Sequence, residues 1–272
     1  MKKESKNAIL LVAFGTSVPG VDETFRAIEK KVRDKYPGAK IGWAFTSKII
    51  RERAAIRDTK LCSPATALSR LIDEGATHVA VLSLHIVPGE EFLNLCRELE
   101  KFESEDNGLK KIEIARPLLG NSEDMERLCK ILVGKFTRQS PHEGAVFIGH
   151  GNRRHPSDSI YVDMNSFLMA RRSGFFVGTV QGRPTPDELL PELKAAKIKK
   201  VLLVPLMTLA GVHAREDMAG NKPESWKSVL AANGIESEPV FTGLAENPDA
   251  VAVWLDHLDE AFSRLGTETP VQ

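Results

Sequence analysis

The chain has 272 residues, enough for one large or two medium domains that each bury a core. Lysine plus arginine equals aspartate plus glutamate at 37 each, so no global field favours nucleic acid or an anionic membrane, and any basic preference is local. Cys62, Cys96 and Cys129 are odd in number and far apart, with no C-x-x-C spacing, which fits reduced, partly buried thiols and argues against a disulfide framework.

The opening MKKESKNAILLVAFG carries an apolar run only from Ala8 to Phe14, too short for a membrane span and without a cleavage pattern. It reads as a first strand, and the protein is expected to be soluble and cytoplasmic. A helical pattern follows from Asp22 to about Tyr36, then a strand in KIGWAF, a helix around Ile49 to Ile56, and a helix in SPATALSRLIDEG opened by Ser63-Pro64 and closed by Gly75. HVAVLSLHIV is a third strand, EEFLNLCRELEKFE a helix, KIEIARPLL a fourth strand and SEDMERLCKILVGKF a helix with Ser122 as its expected N-cap.

The pattern then restarts. GAVFIGHG is a strand ending in a glycine turn, FFVGTVQG a strand before the helix TPDELLPELKAAK, and KVLLVPLM a third strand. SWKSVLAANG is a helix, SEPVFTGL a fourth strand and NPDAVAVWLDHLDEAFSRL a last helix. This order predicts an α/β protein of two similar doubly wound parallel-sheet lobes, residues 1–139 and 140–272, with a cleft between them and the final helix free to pack back on the first lobe. Laying Gly15 on Gly151 sets Phe14 opposite His150, laying Gly89 on Gly211 sets Glu91 opposite His213, and ARPLLGNSEDMERLCKIL runs alongside FTGLAENPDAVAVWLDHL.

Open α/β sheets bind ligands beyond the carboxyl ends of their strands, and His150, Glu91 and His213 all lie there. In FIGHGNRR an apolar strand delivers His150 between Gly149 and Gly151, which let the backbone turn and leave the imidazole unshielded. Two imidazoles and a carboxylate from three loops suit cobalt, nickel, iron or zinc better than magnesium or calcium, and the incomplete shell suits a metal that is handed on. Each residue also has a plainer reading: His150 fits a turn or helix-terminus histidine bonded to backbone carbonyls. His213 fits the start of a helix, Glu90 and Glu91 fit a helix N-terminus, and His85, inside the predicted third strand, serves equally as a core histidine or as a residue of the cleft. His78, His142 and His257 read as solvent-facing. Arg153, Arg154, Arg183 and Arg215 gather near these loops, and arginines beside a cleft recognise carboxylates through bidentate contacts, so an acidic organic ligand is the natural partner. The glycine-bearing loop TLAGVHAREDMAGNKPE is long for this fold and suits a mobile cover.

G-x-x-x-x-G-K-[ST], G-x-G-x-x-G after the first strand, G-x-S-x-G and H-E-x-x-H are all missing, which disfavours nucleotide-dependent chemistry. A hydrolase built on Ser83 or Ser157 with a nearby histidine lacks a nucleophile elbow.

Taken in order, LLVAFGTS, WAFTSKII, SLHIVPGEEF, FIGHGN, VPLMTLAGVHAREDM, SWK and GLAENP resemble the anaerobic cobaltochelatases of the CbiK type, class II chelatases related in fold to ferrochelatase. The resemblance runs from about Ala8 to about Leu265. It implies ATP-independent insertion of Co2+ into sirohydrochlorin on the early-insertion route to cobalamin, with no nucleotide cofactor. It places the two metal-binding histidines at His150 and His213 and the cleft glutamate at Glu91, with Glu90 one residue away. Arg183 departs from the more neutral run of related members. With this substrate, Arg153, Arg154, Arg215 and His85 become the residues expected to hold a carboxylate-edged tetrapyrrole. A sirohydrochlorin ferrochelatase or nickel chelatase shares the fold, and a cytoplasmic tetrapyrrole or metal carrier shares the two-lobed architecture. The chain carries no dedicated haem motif, and it leaves room for a homo-oligomer.

Overall fold

The computed structural model describes residues 6–15, 22–56, 61–104, 107–152 and 154–266. Thr16 and Ser17 of LLVAFGTS, and the expectation for Arg153, lie outside the described residues.

β1 (Asn7–Ala13) is apolar along nearly its whole length, and Ile9, Leu10 and Leu11 expose nothing, as a parallel strand covered on both faces requires. It pairs in parallel with β2 (Lys40–Phe45) and β3 (His78–Ser83), and β3 pairs with β4 (Lys111–Ile114), giving the order β2-β1-β3-β4. Four helices accompany these strands: α1 (Asp22–Lys35), α2 (Lys48–Ile56), α3 (Pro64–Asp73) and α4 (Glu90–Glu100). The start of α3 is fixed by Ser63, whose hydroxyl accepts from the Thr66 N–H at 3.2 Å, and by Pro64, whose missing N–H costs nothing in a first turn. Ala67, Leu68 and Leu71 of α3 then bury against Leu10, Val12 and Val81.

The second sheet repeats the plan. After α5 (Ser122–Lys135), β5 (Glu143–Gly149), β6 (Phe175–Thr179), β7 (Lys200–Pro205) and β8 (Glu236–Pro239) align in parallel in the order β6-β5-β7-β8, with α6 (Ser159–Arg171), α7 (Pro186–Ala195) and α8 (Trp226–Ala232) between them. The sequence reading names no helix between β5 and β6. α6 buries Tyr161, Met164, Asn165 and Leu168 while Val162 and Met169 stay exposed, so apolar residues ring the helix and blur its 3.6-residue period. β3, β4 and β8 are shorter than the apolar runs from which they were predicted, and the remainder of each run forms loop. His85 therefore lies beyond β3, where strand alternation does not orient it.

The chain divides into two compact units, Met1–Leu118 with Val251–Gln272, and Leu119–Ala250. Counting repeats sets a boundary between 139 and 140; by packing, α5 groups with the second sheet and most of α9 (Pro248–Arg264) with the first. In the first unit Trp254 donates its indole N–H to the His85 carbonyl at 3.3 Å, His257 Nδ1 lies 3.2 Å from the Arg116 carbonyl, and Arg264 pairs with Glu113 at 2.8 Å. His257 is thus not solvent-facing as expected: it is 1% exposed, because α9 turns that face onto its own unit.

Backbone bonds carry the repeat down to single residues. The Leu84 N–H donates to the Val12 carbonyl at 2.8 Å, as that of Leu206 does to Ile148 at 2.8 Å. Ser47 N–H donates to Phe14 O as Gln181 N–H does to His150 O, and Gly89 N–H to Val87 O as Gly211 N–H does to Leu209 O. Asn121 and Asn247 each accept from a backbone N–H at the start of α5 and α9. These registers pair Phe14 with His150, His85 with Met207, and Glu91 with His213.

Candidate metal-binding site

β5 ends at Gly149, and each glycine beside His150 has its own structural reason. A Cβ on Gly149 would run into the Tyr161 ring of α6, so this glycine serves the packing of strand on helix rather than the exposure of the imidazole. Gly151 has φ +73°, a left-handed conformation, and a Cβ there would stand 2.6 Å from the Gly182 nitrogen. Asp158 closes the turn by accepting from the Asn152 N–H at 2.6 Å and from the Arg183 N–H at 3.2 Å, joining the loops after β5 and β6. Nothing local in the sequence marks Asp158, an aspartate that accepts across two loops.

His213 comes from the loop after β7, immediately before a single π-helical turn, Ala214–Met218, a form frequent at functional sites. The structure brings His150 and His213 together, with ring centroids 4.4 Å apart and planes at 89°. His150 Nδ1 is 2.8 Å from the Gly151 carbonyl oxygen, and His213 Nδ1 is 2.6 Å from Asp217 Oδ2. Both partners only accept, so in each neutral ring Nδ1 carries the proton and Nε2 keeps its lone pair. Burial lowers the pKa of His150 below the ordinary histidine value; the Gly151 carbonyl opposes this shift, and the neighbouring His213 reinforces it. Two neutral imidazoles whose oriented Nε2 atoms have no partner among the described residues suit a borderline divalent cation, and a carbonyl or carboxylate behind the ring is the usual outer partner of a metal-binding histidine. Asp217 was also missed, although the i, i+4 spacing of HARED puts it within reach of His213. Within this unit no third His, Cys, Asp or Glu among the described residues completes a cage around the pair.

Glu91 belongs to the other unit, exposed on the first turn of α4. Glu90 is engaged with the protein, whereas Glu91 has no partner among the described residues. His85 is enclosed: Nδ1 lies 2.7 Å from Ser83 Oγ, the Phe92 ring is edge-on at 6.3 Å, Nε2 is buried without a partner, and burial pushes its pKa down to about 4. Arg154 and Arg215 are exposed, and the Arg215 guanidinium carbon lies 5.4 Å from the Phe241 ring centroid. Arg183 is drawn out of the expected cluster by Glu188, at 2.6 Å. Among the described residues, no helix is long and apolar enough to cross a membrane.

Residues 7–263 match the model of the cobalt chelatase family CbiK. The chain is 42% identical to a sirohydrochlorin cobaltochelatase, CbiKC, of Nitratidesulfovibrio vulgaris, over 96% of this chain and 92% of that protein. It is 32% identical to the sirohydrochlorin cobaltochelatase of Salmonella typhimurium, over 95% and 97% of the two chains. SirB from Bacillus subtilis, solved with Fe3+, shares the fold with a TM-score of 0.66 at 16% identity, over 96% of this chain and 98% of its own. A parallel two-sheet fold, a pair of imidazoles with free Nε2 atoms, and a family match over almost the whole chain agree: this protein belongs to the CbiK cobalt chelatase family.

Proposed function

We propose that the protein inserts Co2+ into sirohydrochlorin without a nucleotide, releasing two protons from the macrocycle. The observation that carries this reading is the perpendicular His150–His213 pair, each ring with Nδ1 engaged and Nε2 free. Two nitrogen donors hold the cation while leaving most of its coordination open, which suits delivery of a substrate metal better than permanent retention. The cation passes to the four pyrrole nitrogens as the two pyrrole N–H protons leave. Glu91, at the His213 position of the first unit, is the base we assign to those protons; its exposed, unpartnered carboxylate supports that role. Arg153, Arg154 and Arg215 are assigned to the edge carboxylates of the tetrapyrrole, and His85, enclosed by Ser83 and Phe92, to a supporting place behind the substrate. Cobalt is favoured over iron or nickel by the names of the two curated relatives, since imidazole affinity alone does not select it. The cytoplasmic setting rests on the sequence reading.

The test is the absorption spectrum of sirohydrochlorin with purified protein under anaerobic conditions, without ATP, and with Co2+, Fe2+ and Ni2+ in turn. Multiple-turnover insertion fastest with Co2+ is the expected result. Binding without turnover for every metal would make the protein a carrier, and a faster rate with Fe2+ would move it to a different chelatase reaction.

A further inference from the structure

Arg215 is the second residue of the π-turn, two positions after His213, and its N–H donates to the Gly211 carbonyl at 3.2 Å. The acids that follow it are committed elsewhere: Glu216 pairs with Lys222 at 3.5 Å and Asp217 with His213 at 2.6 Å. Among the described residues no carboxylate pairs with the Arg215 guanidinium, which lies over the Phe241 ring. Phe241 is 44% exposed and lies two residues beyond the end of β8, next to Val240, whose N–H bond to the Leu203 carbonyl ties this segment to the strand that leads to His213. An aromatic side chain left this open in water gains little by packing, and here the Arg215 guanidinium, two residues from His213, lies over its ring.

From this arrangement we propose that Phe241 is a positioning residue for Arg215. The ring restrains the guanidinium by its face and leaves the planar edge, with its N–H donors, open to a carboxylate. A long, flexible side chain that would otherwise lose rotamer freedom on binding is thereby held in place beforehand. The ligand is a carboxylate at the rim of the molecule whose metal His150 and His213 handle. The inference rests on the chelatase reading for the identity of that molecule, and on Arg215 and Phe241 alone for the contact.

The experiment is steady-state kinetics of Phe241→Ala, Phe241→Leu and Phe241→Tyr, alone and with Arg215→Gln, together with metal-free binding of sirohydrochlorin read by tryptophan fluorescence. Removing the ring in Phe241→Ala or Phe241→Leu is expected to raise KM and Kd for sirohydrochlorin about two- to fivefold, the scale of an exposed cation–aromatic contact. KM for Co2+ is expected to stay constant, and Phe241→Tyr to restore the parent values. In the Arg215→Gln background the ring should have no further effect. An unchanged KM in Phe241→Ala and Phe241→Leu, or an equal penalty with and without Arg215, overturns the proposal. If the parent protein binds sirohydrochlorin in a Phe241-dependent way but inserts no metal, the chelatase reading fails and the positioning role stands.

Discussion

Asp217 Oδ2 lies 2.6 Å from His213 Nδ1, one turn further along the chain, so a carboxylate fixes the ring whose Nε2 we assign to the metal. Such a partner sets the tautomer and the orientation of the imidazole. Asp217→Asn keeps the shape and an acceptor oxygen while removing the charge. It is expected to weaken Co2+ use about tenfold, read as KM for Co2+, with the KM for sirohydrochlorin unmoved. An unaltered metal dependence would show that the carboxylate does not tune the site.

The two imidazoles are expected to fail singly as well as together, because a cation held by one nitrogen is neither placed nor retained. His150→Ala and His213→Ala should each lose most insertion activity and keep the parent circular dichroism and urea midpoint, since both side chains lie at the end of the sheet rather than in its core. Full activity in either variant would remove that histidine from the metal path.

The apolar strands and the order of elements were legible in the sequence because parallel strands covered on both faces read as continuous apolar runs. The equivalence of Gly89 with Gly211 was legible too, and the matching i to i+2 bonds at Val87 and Leu209 bear it out. α6 was not legible, because Val162 and Met169 extend its apolar surface around to the solvent side. Burial of His257 was hidden for another reason: it depends on which unit α9 packs against, a choice made by Trp254, Arg264 and their distant partners. At the candidate site, His150 is marked by its flanking glycines and His213 by the repeat and the resemblance, whereas their hydrogen-bond partners are marked less or not at all. Asp217 had a spacing that marked it, whereas Asp158, which meets its partners only across two loops, had none.

The two glycines flanking His150 predict different losses. Gly149→Ala drives a methyl into the Tyr161 ring, a small-to-large change in a filled core that costs about 1–3 kcal/mol and lowers the urea midpoint. Gly151→Ala adds the left-handed backbone penalty to contact with Gly182 and also moves the carbonyl that holds His150 Nδ1. Its activity should therefore fall further than its stability accounts for, measured at a temperature where both variants are fully folded. Equal residual activity in the two would separate the turn geometry from function.

His85 gives a pH dependence of known sign. Burial depresses its folded pKa to about 4, below the ordinary value of 6.5, so between these two pH values the unfolded chain binds a proton that the folded one refuses. Stability contributed by the neutral ring is fully present above pH 6.5 and is lost as pH falls toward 4, by about 3 kcal/mol at the lower end. Other groups titrate in the same window, so the informative quantity is the difference between the parent and His85→Met, which installs the residue that the second unit uses at the equivalent position, Met207. Urea midpoints at pH 7, 5.5 and 4.5 should fall more steeply in the parent than in His85→Met. Parallel slopes would mean that the ring takes up its proton without cost, and that its buried Nε2 finds water or another acceptor in solution.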